Sequence, residues 1–370
     1  MPPELHQHTD DEYEVRAYQP SDRFAFLDLY EDVWGRRRSP QWFHWRFERA
    51  PYADGVPMVV VEGDDGLVGA EPCLPFRVGA DGVSSLAYQP ADWIVHPDHR
   101  RQGVFTRMTE RLLEDPPGGQ PRLYFNFPND KLLPGLQRFD WRVAGSLPTE
   151  FRVQRASSLL AARSSLPRSA SRVADVATRG YCRLSDARRQ IPDVAVERHD
   201  GVPAASLARL YRRDIPDVVH VVRDRQFYAW RFENPRWETT TYAARRNGRL
   251  VASLVVCTEE SGGVRVASLL DALPLTDGDS DVAAALVAAA VEDNADADVV
   301  RAGPAGLPTA ALRANGFRPD DSLPLSPFSE HTTLATRPGN ADDPDAWRLR
   351  GHRLDAVEDW ELSLGDRDIA

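Results

Sequence analysis

Val95-His-Pro-Asp-His-Arg-Arg-Gln-Gly-Val-Phe-Thr-Arg-Met108 is the stretch on which the reading of this chain turns. It follows a strand-like run, Leu86 to Val95, and passes through a proline-bearing turn into an Arg-Arg-Gln-Gly loop. A helix then begins, with Phe105, Met108 and Leu112 at i, i+3 and i+7 on the face expected to be buried. Gly103 lets backbone approach a ligand closely. The N–H groups of Gly103 to Thr106 sit at a helix start that carries partial positive charge, a setting suited to a pyrophosphate. An Arg-x-x-Gly taken alone also describes an ordinary strand-to-helix turn with a solvated arginine pair, so the flanking elements decide.

Before the motif lie two strand candidates, Met58 to Glu62 and Leu67 to Val78, joined by a turn around Gly63-Asp-Asp-Gly66. After it come the helix, a strand from Arg122 to Phe127, a short helix and Phe139-Asp-Trp141. This order, with Val-x-Pro-x-x-Arg leading into the loop, resembles the GNAT N-acetyltransferase superfamily and its acyl-CoA signature, Arg/Gln-x-x-Gly-x-Gly/Ala. Arg100 and Gly103 match; Phe105 stands where Gly or Ala is usual. The resemblance implies an α/β fold built on a mixed sheet, with acetyl-CoA as acyl donor and an amine as acceptor.

A second feature is an internal repeat. Phe43-His-Trp-Arg-Phe-Glu48 recurs as Tyr228-Ala-Trp-Arg-Phe-Glu233, the two sharing Trp-Arg-Phe-Glu behind an aromatic ring. Pro51 and Pro235 follow, and Leu29-Tyr30 and Leu210-Tyr211 precede. Each copy leads into a paired-strand pattern, Met58 to Val78 and Thr241 to Val256, and each half closes on Phe139-Asp-Trp141 or Asn315-Gly-Phe317. We therefore expect two tandem GNAT-like lobes, residues 1–154 and 191–370, with a Ser-, Ala- and Arg-rich linker containing helix at 155–190. Trp347-Arg-Leu-Arg350 and Trp360 to Asp368 are assigned to the second lobe. Where the first lobe has its cofactor loop, the second has Leu273-Pro-Leu-Thr-Asp-Gly-Asp-Ser-Asp281, whose Asp277, Asp279 and Asp281 would repel a pyrophosphate. The sequence predicts helix-capping aspartates there rather than a calcium loop, and one active lobe beside one degenerate lobe.

Net charge is −11 over 370 residues, which argues against nucleic acid or an anionic membrane as partner. Lys131 is the sole lysine among 45 basic residues, a bias that suits a salt-adapted or GC-rich genome. Cys73, Cys182 and Cys257 are odd in number and far apart, and read as buried apolar residues of a reducing cytosol. Met1 to Glu14 has no apolar core of a signal peptide, and the Ala-rich run Val282 to Val291 is too short to span a bilayer. A cytoplasmic location is the expectation.

Carried over by position, the resemblance implies that backbone groups of Ile94 and Val95 pair with the pantetheine arm. Gln102, Gly103, Val104, Phe105 and Thr106 would hold the pyrophosphate, with charge from Arg100 and Arg101. Asn129 stands where the family often places an Asn near the pantetheine, and equally suits an ordinary turn. Asp92 on the strand entering the motif and Glu71 on the strand before it are the candidate bases. In a partly dry cleft such a carboxylate takes up an ammonium proton directly or through water, and the alternative is a strand-end carboxylate bound to a local donor. The tyrosine that many family members use to protonate the leaving thiolate is Leu136 here and Leu312 in the second lobe. Tyr88 and Tyr124 are substitutes by type, and as strand aromatics suit the core equally.

His96-x-x-His99 lacks a third ligand, so no metal is expected. Arg36-Arg-Arg38 precedes the repeat in a loop that often lines the acceptor site in this superfamily. Trp45-Arg-Phe-Glu48 reads as structural, with an Arg–Glu pair closing a helix. No Gly-x-Ser-x-Gly, Walker loop or Gly-x-Gly-x-x-Gly is present, which removes serine hydrolases, P-loop NTPases and dinucleotide enzymes. The leading expectation is an acetyl-CoA-dependent N-acetyltransferase acting by direct transfer on a small-molecule or protein amine. The alternative, raised by Leu136, is a non-enzymatic acyl-CoA sensor or scaffold of the same fold. Related tandem aminoacyl transferases read tRNA, which the net charge disfavours.

Overall fold

The structure, a computed structural model, describes residues 13–157, 168–188, 194–276, 278–321 and 332–368. Its contacts divide into two compact units. The first comprises Met1–Arg77, Ser85–Asn126 and Arg337–Ala346. It contains β1 (Glu14–Ala17), α1 (Arg23–Trp34), α2 (Pro40–Phe43), β2 (Met58–Gly63), most of β3 (Gly66–Ala80) and of β4 (Val83–Pro90), then β5 (Ile94–Val95), α3 (Val104–Glu114) and β6 (Leu123–Asn126).

The sheet order in this unit is β1-β2-β3-β4-β6. β1 and β2, and β2 and β3, run antiparallel. β4 and β6 run parallel, as a helix crossover requires. Met58-Val-Val-Val61 is wholly buried, the pattern of a strand covered on both faces. Ser39 caps α2 through the Trp42 N–H with Pro40 at the first helical position, and the helix continues as a π-helical turn, His44–Glu48. That turn drives Trp45, Arg46 and Phe47 inward beside Phe26, Trp42 and Phe43. α3 lies on β3 at Gly69, where a Cβ would come within 2.9 Å of Val104 Cγ1 and 3.0 Å of Met108 Sδ. Nothing larger than glycine lets the helix seat there.

Two expectations are corrected. The run Leu86 to Val95 is not one strand: it breaks between β4 and β5, where Asp92 takes φ 51°. The buried face of α3 is Val104, Met108, Thr109 and Leu112, while Phe105 is only half-buried. Its ring meets Trp93 edge-on at 5.7 Å instead of entering the core.

The second unit comprises Val78–Ser84, Phe127–Thr336 and Trp347–Ala370. In chain order it carries α4 (Leu133–Gln137), β7 (Arg142–Leu147), β8 (Glu150–Val153), α5 (Arg168–Arg188), β9 (Ala195–Asp200), α6 (Ala204–Tyr211), β10 (Val219–Val221) and α7 (Arg225–Arg231). β11 (Glu238–Arg246), β12 (Arg249–Ser261), β13 (Val264–Leu273), α8 (Ser280–Asp293), β14 (Val299–Ala302), α9 (Thr309–Ala314) and β15 (Arg318–Pro319) follow. Its seven-stranded sheet has the order β15-β8-β14-β13-β12-β11-β9, with β14 parallel to β13 and the other neighbours antiparallel. The Ala-rich α8 packs Val282, Leu286, Val287 and Ala290 into the core with Leu254, Val256, Leu269 and Val300. α5 is tied down through Asp186, which meets Arg152 at 2.9 Å. Trp347 and Trp360 of the tail are both buried.

Each unit thus runs through meandering neighbour strands, then a helix, then a parallel strand. Among the described residues, no helix is long and apolar enough to cross a membrane, and no group of three or more His, Cys, Asp or Glu gathers as metal ligands.

Candidate functional site

The start of α3 is built from two left-handed residues two positions apart, Arg101 at φ 63° and Gly103 at φ 83°. Gly103 is the N-cap and provides no side chain to cap the helix. Its carbonyl accepts from the Arg107 N–H at 3.0 Å, so the helix is closed behind it. The N–H groups of Gly103, Val104 and Thr106 meet no protein acceptor among the described residues. A helix start left in this state concentrates several donors and about half a unit of positive charge in one place.

The loop before it is braced by its side chains. Gln102 Nε2 donates to the Asp98 carbonyl at 2.8 Å, and Gln102 Oε1 accepts from the Tyr13 hydroxyl at 2.6 Å. Arg100 Nε donates to the Val95 carbonyl at 3.2 Å, and Arg101 is exposed. Val95, Arg100, Arg101, Gln102, Gly103, Val104, Phe105 and Thr106 are therefore gathered at one helix end. β5 pairs with β3, Ile94 opposite Ala70 and Val95 opposite Gly69. Its pairing to the other side is absent among the described residues, because β4 and β6 stay in register only at Ala87–Leu123 and Tyr88–Tyr124 before the strands part. An open strand edge and an uncapped helix start lie next to each other in sequence and in the fold. That combination fits an extended amide-bearing arm ending in an anionic group.

The two candidate bases have different surroundings. Asp92 Oδ2 accepts from Arg46 Nε at 2.6 Å, with the two side chains 11% and 1% exposed. The Tyr30 hydroxyl is 3.4 Å from Asp92 Oδ1 and accepts from Arg38, whose guanidinium lies 4.8 Å from the Trp42 ring centroid. Asp92 is held, at least on one oxygen, by a buried cation. Glu71 is fully buried on β3 under α3 and accepts from Thr109 Oγ1 at 3.0 Å. Burial pushes its carboxyl up to about 8, opposed by Thr109 and by the nearby Trp93 indole, which makes no hydrogen bond of acceptable geometry.

The remaining candidates have local partners. Asn129 belongs to the second unit, where its side-chain oxygen accepts from the N–H groups of Lys131 and Leu132 as a turn cap. Leu136 and Leu312 are both buried. Tyr88 and Tyr124 are buried, donate to the carbonyls of Pro117 and Leu112, and have hydroxyls driven upward in pKa by desolvation.

In the second unit, the helix corresponding to α3 begins differently. Asp279 N-caps α8, its carboxylate accepting from the N–H groups of Asp281 and Val282. Those backbone bonds, then Arg246, hold its carboxyl below the ordinary range. Asp277 lies outside the described residues. The first copy of the repeat does not form the expected Arg–Glu pair, Glu48 meeting Arg23 and His44. Arg46 goes to Asp92, and Arg231 goes to the carbonyls of Gly365 and Arg367 at 2.6 and 2.7 Å. Sequence spacing missed these partners because both are far away in the chain. One signal was available. Arg38 and Arg223 precede the two copies at matching places, and Arg223 lies over Phe227 at the same 4.8 Å that separates Arg38 from Trp42.

Residues 14–144 match the acetyltransferase (GNAT) domain family. In fold the chain is similar to the GCN5-related N-acetyltransferase of Anabaena variabilis, with TM-score 0.57, 9% identity, and coverage of 89% of this chain and 73% of that one. It is similar to a conserved protein of unknown function from Enterococcus faecalis, a probable N-acyltransferase, with TM-score 0.57, 12% identity and coverage of 89% and 72%. It is also similar to the N-myristoyltransferase of Saccharomyces cerevisiae with bound myristoyl-CoA, with TM-score 0.56, 10% identity and coverage of 89% and 83%. At these identities the likeness is one of fold. No curated protein matches the chain. The loop, the helix start and the strand break all lie inside the GNAT-matched residues.

Proposed function

We propose that this chain is an N-acyltransferase that takes acetyl-CoA as donor and a small-molecule or protein amine as acceptor. The observation that carries the reading is the start of α3. Gly103 in the left-handed region, with no side-chain cap and three unengaged backbone donors, suits an anion. Gly103, Val104, Phe105 and Thr106 would hold the pyrophosphate, with Arg100 and Arg101 adding charge and the edge of Ile94 and Val95 meeting the amide arm. Bound acetyl-CoA supplies an activated thioester. The chain's own work is to fix the donor, orient the amine and remove its proton. Asp92 and Glu71 are the candidate bases for that proton, and burial raises Glu71 to about 8.

We further propose that the second lobe is a duplicated relic without a donor site. The repeat, read as residues 1–154 and 191–370 joined by 155–190, is a division of the sequence, and the compact units cut across it. Support comes from the shared strand order and from Arg38 and Arg223 over their rings. Asp279 fills with its own carboxylate the place an anion would take. The test is calorimetry of the full chain with acetyl-CoA and CoA, followed by thiol release over a panel of amines. One site per chain with micromolar-range affinity is expected. No binding, or two equivalent sites, overturns the proposal. A second reading, an acyl-CoA sensor without turnover, is favoured by buried Leu136 standing where the family's proton donor is usual. Tight CoA binding with no thiol release on any amine selects it.

A further inference from the structure

We propose that Asp92 is a positioning residue. Its ion pair with Arg46 fixes the break between β4 and β5 and so sets the strand edge and helix start that receive acyl-CoA. This rests on the functional reading above and concerns residues that reading assigned no such part.

Asp92 sits in the left-handed region at φ 51°, which Asp visits more readily than most L-residues but which its surroundings must favour over the alternatives. The enforcing group is Arg46, buried in the π-helical turn and 2.6 Å from Asp92 Oδ2. Trp93 comes next in the chain and lies edge-on to Phe105 in the first turn of α3. Ile94 and Val95 come after that and pair with β3. The orientation imposed at Asp92 is thereby passed to both halves of the donor site within three residues.

The second unit supplies an internal comparison. Its strand β13 runs unbroken from Val264 to Leu273. Arg231, which occupies the place of Arg46 in the Trp-Arg-Phe-Glu repeat, donates to the tail carbonyls of Gly365 and Arg367. The second unit also pairs a buried arginine with a strand carboxylate, Arg223 with Asp271 of β13 at 2.9 Å, but that arginine comes from ahead of the repeat and that strand is unbroken.

The test separates the clamp from a base. Arg46→Gln removes the clamp and leaves the Asp92 carboxylate in place, and Arg46→Lys restores a cation without the planar fork. Calorimetry should show CoA affinity reduced at least about tenfold in Arg46→Gln and partly recovered in Arg46→Lys. Amide hydrogen exchange over residues 91–95 should speed up in the same order. Asp92→Asn should raise KM for acetyl-CoA while the shape of the pH–rate profile stays as in the wild type. Loss of kcat with a vanished basic or acidic limb in Asp92→Asn, and unchanged CoA affinity in Arg46→Gln, would make Asp92 a base and overturn the proposal. If the Arg46 variants do not fold, as judged by thermal melting, Asp92→Asn decides through its KM and pH profile. Wild-type protein that binds no CoA defeats the functional reading, and the exchange measurement then decides the clamp by itself.

Discussion

Thr109 Oγ1 donates a 3.0 Å hydrogen bond to Glu71 Oε2 where α3 crosses β3, with both residues sealed from solvent. Burial raises the Glu71 carboxyl from an ordinary 4.5 to about 8, so the folded chain keeps a proton that the unfolded chain has lost. The stability tied to that proton is complete below about pH 4.5, declines as pH rises, and is gone above about pH 8. Glu71→Gln mimics the protonated form. Urea titrations at pH 5 and pH 8 should show the variant losing less stability across this interval than the wild type, by up to a few kcal/mol. Equal pH slopes in the two proteins would refute the account of Glu71.

Gly103 has no atom within 4 Å of a Cβ position, so a side chain there meets backbone strain and charge rather than a clash. Asn tolerates the left-handed region and adds no charge, whereas Asp brings a carboxylate to the helix start. Gly103→Asp should weaken CoA binding at least about tenfold more than Gly103→Asn does. Identical affinities would show that no phosphate lies near this helix end.

Asp279 satisfies two backbone donors of α8. Asp279→Ala should cost about 1 kcal/mol of stability in urea. The number of CoA molecules bound per chain, measured by calorimetry, should stay at one if the donor site lies at α3; a second site appearing in the variant would count against it.

Arg223 is completely buried and meets Asp271 at 2.9 Å and Asp366 at 2.7 Å. Arg223→Met would leave two buried carboxylates facing each other. A loss of roughly 3–5 kcal/mol is expected, far more than for an exposed pair. The double change Asp271→Asn with Arg223→Met should recover part of it. A neutral Arg223→Met variant would mean that the network contributes little.

The parts of the fold that could be read from sequence are those set by local rules. Gly63 to Gly66 marked the β2–β3 turn, and Gly103 marked the helix start because the left-handed region there favours glycine. The Asp-rich loop yielded a capping aspartate at Asp279 for the same kind of local reason. The break at Asp92 was hidden. An Asp between apolar residues looks like one more strand position, and the cation that bends it lies 46 residues earlier. Phe105 was misplaced because helical periodicity assigns a face without knowing that Trp93 offers a ring at its edge. Arg46 was given Glu48 as partner because two charges two residues apart suggest a pair, yet Glu48 meets Arg23 and His44 instead. Long-range ion pairs leave no spacing signature.

The Arg223 network also bears on how the chain is made. Arg223 and Asp366 are 143 residues apart, so Asp366 is synthesised long after its partner. At ordinary translation speeds the interval is roughly 7 to 29 seconds. During that time the nascent second unit carries a guanidinium and the Asp271 carboxylate in a core that is missing a strut. Ser363 and Asp366, and the carbonyls of Gly365 and Arg367 that Arg231 binds, close that core only when they emerge from the ribosome. Closure of this core is therefore late relative to the synthesis of Arg223, and the growing chain carries an unfinished interior until Asp366 is made.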